Sequence, residues 1–370
     1  MSRPTPFRVA VVQEAPIFLD REATIEKACR LIGEAAAAGA RLVAFPEAFV
    51  PAYPDWVWVL AARERRALGM LYAELVANAV TVPGPATERL GRAARDVGAQ
   101  VVIGVNERNA EASGTSLYNT LLFFDAQGRL YAKHRKLVPT GGERLVWAQG
   151  DGSTLGVHET PLGRLCGVLC WENYMPLARY AMYAWGAQIY VAATWDRGEP
   201  WLATMRHIAR EGQVYVLNAC MALHRDDVPD RLDFKRLYPP GREWINAGDS
   251  AVVSPDGEFI AGPLHERRGI LYAEIDPAEF AAARWMFDAA GHYARPDVFQ
   301  LTVRRQPRPL LGDASGAAMS GSAHGEGPGA AGRPTSRRPR PAGAVAGTRP
   351  KRPTPRASRA LRSSRSRKVG

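Results

Sequence analysis

Three side chains in this sequence stand where nucleophilic chemistry would need them: Cys170, Glu47 and Lys136. Cys170 ends the apolar run Gly167-Val168-Leu169 and opens Trp171-Glu172-Asn173, a strand-to-helix elbow. An elbow exposes the side chain and aims the following backbone amides at whatever the sulfur attacks, a setting that also favours thiolate. A nucleophilic cysteine further needs a base and a group that stabilises developing charge. None of the seven histidines lies in a run suited to a papain-type partner. A carboxylate and a cation do stand at element ends, Glu47 in Phe45-Pro46-Glu47-Ala48-Phe49 and Lys136 in His134-Arg135-Lys136-Leu137. Taken singly, each residue keeps a plainer reading: a buried structural thiol, as for Cys166 and Cys220 in apolar strand patterns, a solvated glutamate, and a solvated basic face.

The elements that must position these residues alternate along the chain. Phe7 to Gln13 reads as a strand, and Asp20 caps a helix from Arg21 to about Ala38 that Gly39 stops. Leu42 to Phe45 is a short strand with Glu47 just past its end. Helical patterns follow at Ala61–Ala77 and Thr87–Val97, then strands at Gln100–Gly104, Leu117–Phe124 and Leu130–Arg135, the last placing Lys136 at its end. Arg164–Leu169 is a strand leading to Cys170 and a helix from Met175 to Trp185. Ile189–Ala193, a helix at Trp201–Glu211, Tyr215–Ala219, a hairpin of Ala251–Val253 with Glu258–Ala261, Ile270–Ile275 and a helix opening at Pro277 complete the body. Interleaved strands and helices with several hairpins make an α/β class with mixed sheets.

Together these runs resemble the nitrilase superfamily of carbon-nitrogen hydrolases, whose signature is one Glu, one Lys and one Cys in that chain order. The resemblance lies in Ala44-Phe45-Pro46-Glu47-Ala48-Phe49 with Tyr53-Pro54, in His134 to Thr140 with Glu143-Arg144 and Trp147, and in Cys170-Trp171-Glu172-Asn173-Tyr174-Met175-Pro176. The last run is similar to that of true nitrilases. The likeness covers about residues 7 to 300; Ala52 and Ala148 stand where many nitrilases have Gly. It implies Cys170 as nucleophile, Glu47 as general base, Lys136 as the charge-stabilising cation and Glu143 as an additional glutamate that positions the attacked group. The implied reaction turns a nitrile and two waters into a carboxylic acid and ammonia through a thioimidate, without cofactor or metal. An amidase or carbamoylase using the same residues is the alternative. The implied fold is an α-β-β-α sandwich, pairing into a homodimer or a larger homo-oligomer. Tyr53, Trp147, Trp171 and Trp195 suit an apolar or aromatic substituent on the substrate, or are ordinary core aromatics; Glu172 and Asn173 line the site or hold its loop.

Charge divides the chain. Thirteen of the 48 Lys and Arg, and two of the 37 acids, lie from Leu311 to Gly370, so residues 1–310 hold 35 of each and are neutral. We therefore expect a hydrolase domain over 1–310 and a disordered basic tail, rich in Arg, Pro, Gly, Ser and Ala, over 311–370. The tail has no aromatic residue for stacking on bases, which weighs against nucleic-acid binding. Four cysteines at low density, no export-type apolar run and no membrane-length apolar stretch read as a cytoplasmic protein with free thiols. A Cys166–Cys170 redox pair is disfavoured, because four residues of extended strand span about 13 Å, roughly twice what a disulfide tolerates. The tail either tunes solubility, self-association or surface adsorption, or has no selected role; unchanged turnover and assembly after truncation at Leu310 would support the second reading, and a shift in oligomer size by light scattering the first.

Overall fold

The computed structural model describes residues 5–308. The tail, with both its readings, lies outside the described residues. In the first half, β1 (Phe7–Gln13), α1 (Arg21–Ala37), β2 (Ala40–Ala44), α2 (Arg65–Asn78), α3 (Pro85–Val97), β3 (Gln100–Arg108), β4 (Leu117–Phe124) and β5 (Leu130–Arg135) follow one another. The second half runs β6 (Val157–Thr160), β7 (Gly163–Leu169), α4 (Pro176–Ala184), β8 (Ile189–Thr194), α5 (Glu199–Gly212), β9 (Tyr215–Cys220) and β10 (Ala222–His224). It closes with β11 (Trp244–Val253), β12 (Phe259–His265), β13 (Gly269–Ile275) and a short α6 (Glu279–Ala282).

One sheet has the order β13-β1-β2-β3-β4-β5, the other β10-β11-β9-β8-β7-β6 with β12 added against β11. Each has a parallel centre, β1-β2-β3 and β7-β8-β9, flanked by antiparallel strands. Central parallel strands are covered on both faces, which is why their sequences are nearly unbroken apolar runs. On β1, Val9 and Val11 point between the sheets with Leu42, Leu121, Leu169 and Val191, while Ala10 and Val12 pack towards Ile25, Ala28 and Ile32 of α1. On β8, Tyr190 and Ala192 face Met182 of α4 and Trp201, Met205 and Ile208 of α5. Three apolar layers thus separate helices, sheet, sheet and helices, the α-β-β-α sandwich expected.

Asp20 caps α1 as expected, its carboxylate accepting from the Ala23 amide at 3.0 Å. Several boundaries differ from the sequence reading, with a common cause. Strand β3 continues past Gly104 through Asn106, Glu107 and Arg108, and β11 begins at Trp244, well before Ala251. Their polar residues suggested strand ends, yet Asn106 and Asn246 are buried and hydrogen-bonded to the backbone carbonyls of Ala52 and Trp195. The helix after Pro277 is only four residues long, and the short strands β6 and β10 carry too few residues to show a period.

Beyond β2 the chain keeps pairing with β3: Phe45 N–H donates to the Val102 carbonyl and Val50 N–H to that of Gly104. This path lays Glu47 directly across Gly104. A Cβ there would come within 2.3 Å of the Pro46 carbonyl oxygen and 2.5 Å of the Ala48 nitrogen. Both obstacles are backbone, so they yield only by moving Glu47. Gly104→Ala is expected to cost about 1–3 kcal/mol of stability, read by urea denaturation, and to lower activity in the protein that remains folded.

Candidate active site

Lys136 follows β5, and its backbone is fixed on both sides, its N–H donating to the Asn119 carbonyl and its carbonyl accepting from Gly150 N–H, each at 2.8 Å. Its ammonium reaches Glu47 Oε1 and Glu143 Oε2, both at 2.8 Å, and all three side chains are buried. Asn119 of β4 donates to the same Glu47 oxygen at 2.5 Å, while Glu47 Oε2 has no hydrogen-bond partner among the described residues. Glu143 sits on a one-turn helix at Gly141–Leu145. It accepts from the Thr140 amide and from the Tyr53 hydroxyl, both at 2.7 Å.

Cys170 comes from the other sheet. It ends β7 in the left-handed region, φ +49°, and opens a short turn at Cys170–Tyr174 that precedes α4. A non-glycine residue there carries strain that its surroundings must hold. Asn173 Nδ2 donates to the Cys170 carbonyl at 2.7 Å, and Arg179 of α4 holds the Asn173 carbonyl. Glu172 turns back to accept from Leu169 N–H on β7, from Leu137 N–H beside Lys136, and contacts His134 Nε2 of β5 at 2.9 Å. One carboxylate therefore locks the strand end bearing the thiol to the strand end bearing the lysine. As a result Cys170 Sγ and a carboxylate oxygen each of Glu47 and Glu143 lie within 4.8 Å of one another. Thiolate and carboxylates are potential metal ligands, but the ammonium of Lys136 already bridges the two carboxylates and supplies the cation they call for.

The electrostatics follow from two carboxylates and one ammonium shut away from water. Burial raises the pKa of Glu47; Lys136 opposes this and Glu143 adds to it. Burial works against the Lys136 cation, but Glu47, Cys170 and Glu143 more than offset it and keep the ammonium charged. Burial and then Glu47 push the Cys170 thiol up. The elbow alone suggested a thiolate; desolvation and the neighbouring carboxylates instead keep the resting sulfur protonated. Burial likewise disfavours charge on Glu172, but His134 and the two amides win and hold its carboxyl below the ordinary range.

A cavity of about 350 Å³ opens onto Cys170, lined by Tyr53, Trp58, Glu143, Trp171 and Trp195 among others. Tyr53 stacks on Trp195 with ring centroids 4.3 Å apart. A hollow of about 970 Å³ between α2 and residues 231–237 is larger, but none of these site residues lines it.

The family model for carbon-nitrogen hydrolases matches residues 8–284. The chain belongs to the carbon-nitrogen hydrolase family. It is 46% identical over 306 residues to an aliphatic nitrilase of Sinorhizobium fredii, covering 82% of this chain and 97% of that protein. It is 44% identical to a bifunctional nitrilase/nitrile hydratase of Nicotiana tabacum, over 82% of this chain and 87% of that one. Among solved structures, Nit3 of Saccharomyces cerevisiae, a member of branch 10 of the nitrilase superfamily, superposes with a TM-score of 0.61 at 21% identity. That match covers 80% of this chain and 98% of the other.

In this carbon-nitrogen hydrolase, Tyr53, Trp171 and Trp195 reach the cavity, whereas Trp147, Glu172 and Asn173 are not among its lining residues. Trp147 packs beneath it, its ring centroid 5.8 Å from the Lys136 nitrogen and its indole N–H on Asn106. The sequence reading gave no role to His134, which it quoted only as part of a motif run, and none to Asn119 or the cavity-wall residues Asp55, Asp196, Arg197 and Arg242. For Asn119 a signal existed, an amide inside the apolar strand Leu117–Phe124. Glu172, accepting from amides at both strand ends, holds structural leverage. Its folded pKa lies below the unfolded value, so its contribution is full above about pH 4.3, the ordinary glutamate value, and is lost as pH falls through the folded value. Glu172→Gln is expected to cost about 3 kcal/mol at neutral pH, with the gap to the parent protein narrowing in acid; a gap independent of pH in urea titrations would contradict this.

Proposed function

We propose that this protein is a nitrilase, hydrolysing an organic nitrile with two waters to a carboxylic acid and ammonia. The observation that carries the reading is the buried meeting of the Cys170 thiol, the Glu47 carboxylate and an ammonium locked between two carboxylates. Relatives at more than 40% identity are nitrilases or bifunctional nitrilase/nitrile hydratases, which favours nitriles over amides.

A nitrile carbon is a poor electrophile, so attack gains from moving protons in step. In this reading Cys170 gives its proton to Glu47 as sulfur bonds to the nitrile carbon, and the C≡N triple bond becomes C=N. Negative charge collects on nitrogen, where Lys136 stabilises it and Glu47 returns the proton, leaving a thioimidate. Water, deprotonated by Glu47, then adds to that carbon; the nitrogen leaves as ammonia and a thioester remains. A second water displaces the sulfur, releasing the acid and restoring the thiol. Lys136 keeps its proton throughout, as befits an ammonium held by two carboxylates. Glu143 holds Lys136 and Tyr53 in place, and the Trp171 amide supports the tetrahedral stages. Tyr53, Trp171 and Trp195 hold the substituent on the nitrile. Glu172, Asn173 and Trp147 fix the backbone and walls behind them.

The same reading has the protein working in the cytoplasm as a homodimer or larger homo-oligomer; among the described residues no helix is long and apolar enough to cross a membrane. A monomer by light scattering at working concentration would contradict the assembly.

Cys170→Ala is expected to lower ammonia release from a nitrile panel at least about a thousandfold, and retained activity would overturn the mechanism. Turnover of the matching amide without the nitrile would make the protein an amidase. Because Glu47 must be ionised to take a proton and its pKa is raised, kcat/KM is expected to fall with decreasing pH at a value above the ordinary carboxylate range. Glu143→Gln removes one charge that raises Glu47, so the activity that remains shifts its acid limb to lower pH.

A further inference from the structure

The cavity that holds Cys170 also carries Asp55, Asp196, Arg197 and Arg242 on its walls. The two acids are engaged. Asp55 accepts from the Tyr238 hydroxyl at 2.6 Å, and Asp196 accepts from the Trp171 indole at 2.7 Å and from the Arg197 amide at 2.8 Å. Arg242 is anchored by the Ile245 carbonyl at 2.8 Å. Arg197 differs: among the described residues its half-buried guanidinium has no hydrogen-bond, ion-pair or ring partner. Its backbone is nevertheless fixed on both sides, by Asp196 and by Gly198 N–H on the buried Asp249. A guanidinium that faces a cavity with five donors and no acceptor is a fork for a carboxylate.

We propose that Arg197, with Arg242, forms a carboxylate subsite, so that the substrate is a short nitrile bearing an anionic group at its other end. The charge layout orients such a molecule. Two carboxylates surround Lys136, so an incoming anion is repelled there and drawn to the arginines, which leaves the nitrile to meet Cys170. About 350 Å³ suits a chain of a few carbons. For the nitrile end this rests on the nitrilase reading; for the anion it does not.

The test pairs an ω-cyanobutanoate with the methyl ketone of the same chain length. Binding is measured by calorimetry on Cys170→Ala, and ammonia release on the parent protein. The acid is expected to bind at least about tenfold tighter than the ketone, a preference that falls at high salt. Arg197→Gln should erase most of this ratio and Arg197→Lys should restore part of it. No preference, or a ratio unchanged by Arg197→Gln, overturns the subsite even if nitriles are hydrolysed. Selective, Arg197-dependent binding without ammonia release sustains the subsite and removes the nitrilase reading. Absence of both binding and turnover removes both.

Discussion

The ammonium of Lys136, held between two buried carboxylates, is the constraint around which this protein is organised. Taking three charged groups out of water costs several kcal/mol for each, and the cost is tolerable only when their geometry is fixed. Lys136 stands 2.8 Å from both Glu47 and Glu143. Removing Lys136 would leave two carboxylates in the interior with no cation between them. Burial raises the pKa of Glu47 and of the Cys170 thiol, the one excess negative charge of the set adds to both, and the same negative neighbours hold the proton on Lys136.

Fixing that geometry falls to the two sheets. Glu47 and Lys136 belong to one and Cys170 to the other, so their meeting depends on the apolar layer between them, built from residues such as Val9, Val11, Leu121 and Val191. Apolar packing is not directional enough to set a thiol beside a carboxylate to within an ångström. Glu172 supplies the direction, because its two oxygens hold amides of both strand ends. Gly104 supplies the room, letting the Glu47 turn lie flat on β3. The cavity wall adds a third level, where Asp196 braces Trp171 and leaves the neighbouring guanidinium open to the substrate.

The sandwich was legible in the sequence because its signals are local, and the motif runs around Glu47, Lys136 and Cys170 pointed to three side chains that the fold does bring together. Unbroken apolar runs mark strands covered on both faces, and Glu47 and Cys170 stand just past two of them, whereas Lys136 follows the mixed edge strand Leu130–Arg135. Elements hidden from that reading are those whose polar residues are buried. Asn106 and Asn246 look like strand ends until tertiary partners for their amides are known. Trp147 and Trp171 sit equally close to the motifs, yet one packs beneath Lys136 and the other is half exposed at the cavity.

By itself, then, the sequence determined the order of the elements, the strand ends that bear the reactive groups and the separation of a neutral body from a basic tail, since these depend on residue type and neighbours along the chain. The tertiary structure decided what those groups are at rest. Protonation depends on burial and on charges and hydrogen-bond donors brought from 72 to 90 residues away, as the Asn119 and Lys136 bonds to Glu47 and the Tyr53 bond to Glu143 show. A thiol that reads as a thiolate at an elbow becomes a protonated thiol when the second sheet closes over it. That the Arg197 guanidinium has no hydrogen-bonded acid among the described residues is likewise no property of its tripeptide; Asp55, whose carboxylate its charge still favours, and Asp196 accept from Tyr238 and Trp171 instead.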